Sequence, residues 1–335
     1  MIGEMYWLPI IFVGLMGLAV LVYALLDGYD LGVGILLPLQ NDAETGRDII
    51  IASIGPFWDA NETWLVLAVG LLLIAFPTAH SIVLFHLYLP ATFMLLGLIL
   101  RGVAFDFRAK AAVDYKQLWD RLFKIGSLLT ALAQGYMLGK YVTGFQQHWS
   151  AEIFCILSAL GVSAAYTCIG GAWLIMKTEG ELQQMAVRWT HRALRLTFLG
   201  VVAVSLVNLW VNPQVYHRWF EFPLVMFVLL IPLLCFALFA WAEWLLQQLP
   251  LAGDKHSATP FFLVAGIFVL CFVGLAFSFY PDIIPGKLTI WQAASAPESL
   301  RFILYGALVV VPVILGYTVF AYRVFRGKAT ELRYY

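Results

Sequence analysis

The chain has 335 residues, of which 62% are hydrophobic and 12% charged, and its 20 basic residues balance 20 acidic ones. An ordinary soluble domain is about 45–50% apolar and about 25% charged, so this composition excludes a soluble enzyme, a disordered chain and a basic nucleic-acid binder. It fits a polytopic helical membrane protein, in which nine crossings of about 22 apolar residues would use about 200 residues.

In chain order the apolar runs cover residues 7–36, 49–76, 81–104, 123–145, 152–176, 195–211, 222–249, 260–280 and 301–323. Each reaches or nearly reaches the roughly 20 residues that cross the hydrocarbon core as helix. They are continuously apolar rather than alternating, which disfavours strands. The run at 195–211 is the weakest, and an earlier start would lengthen it. The expectation is an all-α membrane protein, one polytopic domain over 1–335, with loops no longer than about 20 residues and no internal repeat. The N-terminus lacks a basic segment and a small-residue cleavage site, so no removable signal peptide is expected.

With nine spans the termini lie on opposite sides. Four basic residues, Lys140, Arg218, Lys287 and Arg301, fall on the N-terminal side, and sixteen fall on the other. The sixteen include Arg101, Arg108, Lys110, Lys116, Arg121 and Lys124, then Lys177, Arg188, Arg192 and Arg195, and the tail residues Arg323, Arg326, Lys328 and Arg333. The positive-inside rule then places the N-terminus outside and the C-terminus in the cytoplasm.

Polar residues interrupt the first three runs. Asp27 and Asp30, three apart, share a face near the cytoplasmic end of the first, and Gly28 and Gly32 have the spacing that lets another helix approach closely. This corner reads either as a glycine-rich helix end with aspartate caps or as a point of proton uptake, since ionisable groups at membrane depth are costly. The second run holds Pro56-Phe-Trp-Asp-Ala-Asn-Glu-Thr-Trp64. Asp59 sits about 15 Å into the membrane, and Pro56 frees a backbone carbonyl, which is tolerated only against protein or a wet cavity. Asp59, Glu62 and Thr63 share one face with Asn61 off to the side. With no basic residue on their own helix, one or both carboxylates are expected to be protonated or paired with a group on another chain. A buried structural carboxylate competes here with a proton-handling or partner-contact role. In the third run Arg101 and Arg108 read as cations snorkelling to the interface, although Arg101 could instead reach the Asp27/Asp30 corner. Glu243 lies near a cytoplasmic span end and reads as interfacial.

His148, His191, His217 and His256 fall in loops or at span ends, His80 begins a span, and His86 lies about two turns inside it. No two histidines sit deep in facing spans, as a bis-histidine haem needs, so this chain is expected to ligate no haem. Cys155, Cys168, Cys235 and Cys271 stand singly in apolar runs and read as packing residues, with no metal or disulfide pattern. Trp7, Trp149, Trp173, Trp219 and Trp291 lie near span ends and read as interfacial anchors. Gly161, Ser163, Ala164, Ala165, Gly170, Gly171 and Ala172 form a close-packing surface for a neighbour within this chain or in a partner.

Taken together, Asp27-Gly-Tyr-Asp-Leu-Gly-Val-Gly34, Pro56 to Trp64, Arg101-Gly-Val-Ala-Phe-Asp-Phe-Arg108, Tyr280-Pro-Asp-Ile-Ile-Pro285 and Leu288-Thr-Ile-Trp-Gln-Ala293 resemble subunit II of cytochrome bd-type quinol oxidases, with the compact length of the cyanide-insensitive branch. Ala60 stands where that family usually has glycine, and Gln292 where it often has aspartate. The resemblance implies a nine-span bundle in the bacterial cytoplasmic (inner) membrane, paired with a homologous haem-bearing subunit I. That partner would carry two b-type haems and one d-type haem, and a small accessory single-span subunit and a bound quinone are further features of such complexes. Quinol and oxygen would be the substrates. The resemblance places Asp59 on a proton path, with Asp27, Asp30 and Glu62 as further members, and Trp64 beside an oxygen route. It leaves Trp58, Asn61, Arg101, Asp106 and Arg108 as structural motif residues. The competing class is a secondary transporter with a proton-coupled acidic site, which would be expected to show internal repeats.

Overall fold

A computed structural model describes residues 2–39, 44–110 and 113–329; Arg333, counted above with the basic tail, lies outside the described residues. The helices are α1 (Ile2–Leu36), α2 (Glu44–Ile54), α3 (Trp58–Ala75), α4 (Pro77–Lys110), α5 (Val113–Val142), α6 (Trp149–Lys177) and α7 (Gly180–Val211). The short α8 (Pro213–Phe220) and α9 (Val225–Val228) lead to α10 (Leu230–Leu246) and α11 (Thr259–Phe279). A two-stranded hairpin, β1 (Asp282–Ile284) and β2 (Leu288–Thr289), and the single turn α12 (Ile290–Ala293) precede α13 (Pro297–Val324).

The apolar runs are helical over most of their length, that at 222–249 through α9 and α10 in succession, and among the described residues eight helices are long and apolar enough to cross a membrane. The run at 123–145 falls on α5, whose first half also carries Lys116, Asp120, Arg121 and Lys124. The run at 195–211 extends back to Gly180, because Gln183, Ala186, Val187, Thr190 and Ala193 continue its buried face. The run at 49–76 divides into α2 and α3 around Gly55–Phe57. Proline lacks the N–H that would continue the ladder, and the Phe57 amide instead bonds the Ile54 carbonyl at 2.9 Å.

Helix α1 is held on several sides. Gly28 faces Tyr166, and a Cβ at Gly32 would collide with the Tyr166 backbone and come within 3.0 Å of Gly170. These registers rise together, so α1 and α6 run parallel. Helix α5 runs antiparallel to α4, with Gly126 on Gly97 and Arg101, and antiparallel to α6, with Gly135 on Ala159 and Gly139 on Cys155. Gly161 and Gly171 receive Gly200 and Thr190 of α7. The small-residue surface of the fifth run is therefore shared by α1 and α7 of this same chain. Close backbone approach of this kind is what small residues contribute where lipid removes the hydrophobic drive.

Trp173 is not an interfacial anchor. It is 1% exposed and stacks on Tyr29 at 4.1 Å between ring centres, whereas Trp7 and Trp149 are exposed. Gln292 occupies the third position of α12, where its side chain accepts from the Thr289 amide at 3.0 Å in a reciprocal capping box. Glutamine serves that box well. Helix α13 is the least embedded of the long helices, with Leu300, Val311 and Ala321 its buried residues.

Candidate polar core

The polar residues of α1, α3 and α4 converge inside the bundle. Arg101 is fully buried and donates to Asp27 Oδ1 at 2.8 Å and to Glu62 Oε1 at 3.1 Å, with Asp30 Oδ2 at 4.0 Å. Asp27 and Asp30 are also fully buried. The snorkelling reading of Arg101 is thereby overturned: the close approach of Gly126 to its backbone and three carboxylates within reach hold the guanidinium inside, with its carbon 6.0 Å from the Trp58 ring centre. The pairing expected on another chain is likewise corrected for Glu62, whose partner is Arg101 of this chain. Its side chain keeps 26% of its surface exposed, so it links the buried cluster to the outside of the bundle. Asp59, one turn earlier on α3, is exposed on that outside.

Asn61 is a centre of the site rather than a bystander. It is 1% exposed, and its amide nitrogen donates to Asp30 Oδ2 at 2.7 Å and to the Tyr29 hydroxyl at 3.0 Å. Tyr322 of α13 completes this end. Its hydroxyl lies 2.6 Å from that of Tyr29 and donates to Asn61 Oδ1 at 3.3 Å. On the other side of Arg101, Tyr23 receives a hydrogen bond from Gln134 at 2.6 Å, and Gln134 accepts one from Tyr166 at 2.7 Å. Asp27 Oδ2, Asp30 Oδ1, and Arg101 Nε and Nη2 are buried with no hydrogen-bond partner among the described residues.

Below this cluster a second charge network ties α2 to α4 and α5. Asp120, 1% exposed, accepts from Arg108 at 2.5 Å and forms an ion pair with Arg47 at 2.9 Å, and Arg108 also pairs with Asp48 at 2.7 Å. Arg108, too, is thus buried and paired rather than snorkelling, because two carboxylates from neighbouring helices face it. Asp106, two residues away, points outward and is exposed. Trp58 is half-buried and packs on Phe105 at 5.0 Å between centres. Trp64 is 1% exposed and belongs to an apolar cluster with Ala19, Tyr23 and Ala68.

The break between α2 and α3 rests against protein, in an aromatic box. Phe57 stacks on Tyr322 at 4.5 Å and meets Trp173 edge-on at 5.6 Å, and the Lys177 ammonium lies 5.0 Å from the Trp173 ring centre. Sequence reasoning missed Tyr29, Tyr322, Tyr23, Gln134 and Tyr166, and the Arg47–Asp120–Arg108 network. The available signals were a tyrosine between Asp27 and Asp30, and a lone amide, Gln134, in an apolar run. His86 spends its Nδ1 on the Ile82 carbonyl at 2.8 Å and stacks on Phe145 at 4.6 Å. Glu243 is half-buried and paired with Arg195 at 2.6 Å and with His191 at 2.8 Å.

Residues 8–325 match the family model described as cytochrome bd terminal oxidase subunit II. The chain is 28% identical to the cytochrome bd ubiquinol oxidase subunit 2 of Bacillus subtilis, over 91% of this chain and 92% of that protein. It is 26% identical to the cytochrome bd-I ubiquinol oxidase subunit 2 of Escherichia coli K12, over 95% of this chain and 94% of that one. In fold it is similar to a chain of the bd oxidase from Geobacillus thermodenitrificans, with a TM-score of 0.79 at 16% identity, covering 95% of this chain and 98% of that chain.

Proposed function

The chain belongs to the cytochrome bd terminal oxidase subunit II family, as a subunit of a quinol:oxygen oxidoreductase complex, and from that premise we propose that it is the half of the complex that conducts protons and admits oxygen. Its redox centres, two b-type haems and one d-type haem, reside in a homologous subunit I. The family assignment sets aside the secondary-transporter alternative. A bis-histidine haem needs two histidines on facing spans, whereas His80 and His86 share α4, and His148, His217 and His256 lie at a helix start, in the short α8 and in a turn, which supports placing the haems in the partner.

Nine crossings, with the N-terminus outside the cytoplasmic membrane, agree with two features. Helix α5 runs antiparallel along both α4 and α6, so it traverses the same depth as they do. Lys287, over the Phe145 ring, and Lys140, whose carbonyl accepts from the Phe145 amide, lie at one end of the bundle, while Arg47 and Arg108, and Lys177 and Lys328, hold their networks at the other.

One observation carries the proton reading: a single buried guanidinium, Arg101, joins Asp27 and Asp30 to the partly exposed Glu62. Three carboxylates facing one cation leave a surplus of negative charge that protons in transit neutralise. The oxygens of Asp27 and Asp30 without partners are acceptors for such a proton or for water carrying it. From Glu62 the route continues to Asp59, exposed toward whatever covers α3. Ionisable groups at this depth are expensive and mark such pathways. Trp64, in its apolar cluster against Tyr23 and Ala68, borders the oxygen route. A bound quinone and a small accessory subunit belong to the same proposal.

The test is a reduced-minus-oxidised spectrum of the chain purified from its native membrane and of the chain expressed alone. Haem bands only in the native preparation, travelling with a second large subunit, support the assignment. Stoichiometric haem on the isolated chain overturns it.

A further inference from the structure

The residues after α13 are fastened to the rest of the chain by a set of contacts that the proton reading does not use. Lys177, at the end of α6, donates to the Phe325 carbonyl at 2.8 Å and to the Gly327 carbonyl at 3.1 Å. The Ala329 amide returns a bond to the Lys177 carbonyl at 2.7 Å. Lys328 donates to the Thr178 carbonyl at 2.9 Å and pairs with Asp254 at 2.6 Å. Asp254 is itself bonded by Gln183 of α7 at 2.6 Å and by Ser257 at 2.9 Å. Residues 325–329 are thus stitched to the α6–α7 junction and to the turn before α11.

The position of this stitching matters because α13 is otherwise loosely embedded. Its buried residues are Leu300, Val311 and Ala321, yet its last turn carries Tyr322, whose hydroxyl touches both Tyr29 and Asn61. Lys177 acts on both sides of that turn. Its ammonium holds the carbonyls just beyond Tyr322 while lying 5.5 Å from the Phe57 ring centre, and Phe57 is the ring on which Tyr322 stacks. A helix end held by little apolar packing takes its position from the polar contacts that fix it.

We infer that residues 325–329 form a clasp, with Lys177 as its latch, that seats Tyr322 on Tyr29 and Asn61 and so completes the end of the polar chain nearest the C-terminus. Lys177 and Lys328 are positioning residues. They act through Tyr322 and touch neither substrate nor haem. Opening the clasp frees the end of α13, withdraws the Tyr322 hydroxyl and slows delivery to Asp30. This inference rests on the proton-conducting reading of the Asp30–Arg101 cluster.

The experiment uses the intact, haem-loaded complex and compares Lys177→Met, Lys177→Arg, Tyr322→Phe and Asp30→Asn. One readout is proteolytic accessibility of the C-terminal segment; the other is the rate of proton uptake during a single turnover with oxygen. The expected result for Lys177→Met is a segment cleaved at least tenfold faster and proton uptake slowed to the rate of Tyr322→Phe. Haem content should be unchanged, Lys177→Arg should restore both readouts, and the Lys177→Met/Tyr322→Phe double variant should be no slower than either single. A segment that becomes accessible while proton uptake keeps its normal rate overturns the inference, as does a segment that stays protected in Lys177→Met. If Asp30→Asn also leaves uptake unchanged, the proton-conducting reading itself fails. If only the Lys177 and Tyr322 variants leave it unchanged, the clasp alone fails.

Discussion

Replacement of Arg101 by methionine tests the polar core at its centre. The guanidinium is fully buried and pairs with Asp27 at 2.8 Å and with Glu62 at 3.1 Å. Methionine keeps much of the volume but leaves Asp27 buried without its cation. Removing one partner of a buried ion pair costs about 3–5 kcal/mol, which at about 1.36 kcal/mol per decade is roughly two to nearly four powers of ten in the folding equilibrium. Glu62 can turn its exposed quarter to the outside, and Asp30 keeps its bond from Asn61 at 2.7 Å. Most of the loss therefore belongs to Asp27. The double variant Arg101→Met/Asp27→Asn should recover about 2 kcal/mol, the size of coupling that touching groups show. The assay is the fraction of the complex that survives a graded denaturing-detergent titration, followed by haem absorbance. A loss below about 1 kcal/mol, the range of exposed pairs, would refute the reasoning, and so would strictly additive behaviour of the double variant.

Gly32→Ala should separate α1 from α6, because the added Cβ meets the Tyr166 backbone rather than a movable side chain. Overpacking of this kind costs about 1–3 kcal/mol, read as a lower denaturation midpoint, and an unchanged midpoint would contradict the close packing. The clasp should respond to pH through Asp254. Burial raises its carboxyl, but hydrogen bonds from Lys328, Gln183 and Ser257 outweigh this and hold it below the ordinary carboxylate range. A lowered folded-state value stabilises docking above the unfolded value, about 3.9 for aspartate, and that stabilisation is lost as pH falls through the lowered value. Protection of residues 325–329 from protease should accordingly stay level from neutral pH to the ordinary carboxylate range and drop only below it, and Asp254→Asn should remove that drop. Trp64→Ala opens space in the cluster of Ala19, Tyr23 and Ala68 and should change apparent oxygen affinity more than quinol affinity; the reverse pattern would count against an oxygen route.

The helices were legible in the sequence because runs of about 20 apolar residues leave few alternatives in a membrane. Boundaries failed where composition changed within a helix, as in α7, whose amphipathic first half from Gly180 is too polar to read as a span. The acidic residues of the site stood out singly, because a carboxylate in an apolar run is conspicuous. Their partnerships did not, since Arg101 and Asp27 are 74 residues apart and Tyr29 and Tyr322 are 293 apart. A local reading therefore treated Arg101 and Arg108 as snorkelling cations, the ordinary fate of arginine at a helix end. Asn61 was misjudged for the opposite reason. Periodicity grouped Asp59, Glu62 and Thr63 as one face, but the buried side of α3 is the one carrying Asn61 and Trp64.

The central claim is that this chain carries protons through its acidic core to the oxygen-reducing site of the complex. The most direct measurement is proton uptake during reaction of the fully reduced complex with oxygen, in the parent and in Asp30→Asn and Asp59→Asn. Uptake and oxygen reduction should both slow by about tenfold or more, as expected for loss of a positioned proton-transfer group, with the haem spectrum unchanged. Uptake at the parent rate in either variant, in complexes with full haem content, would contradict that claim.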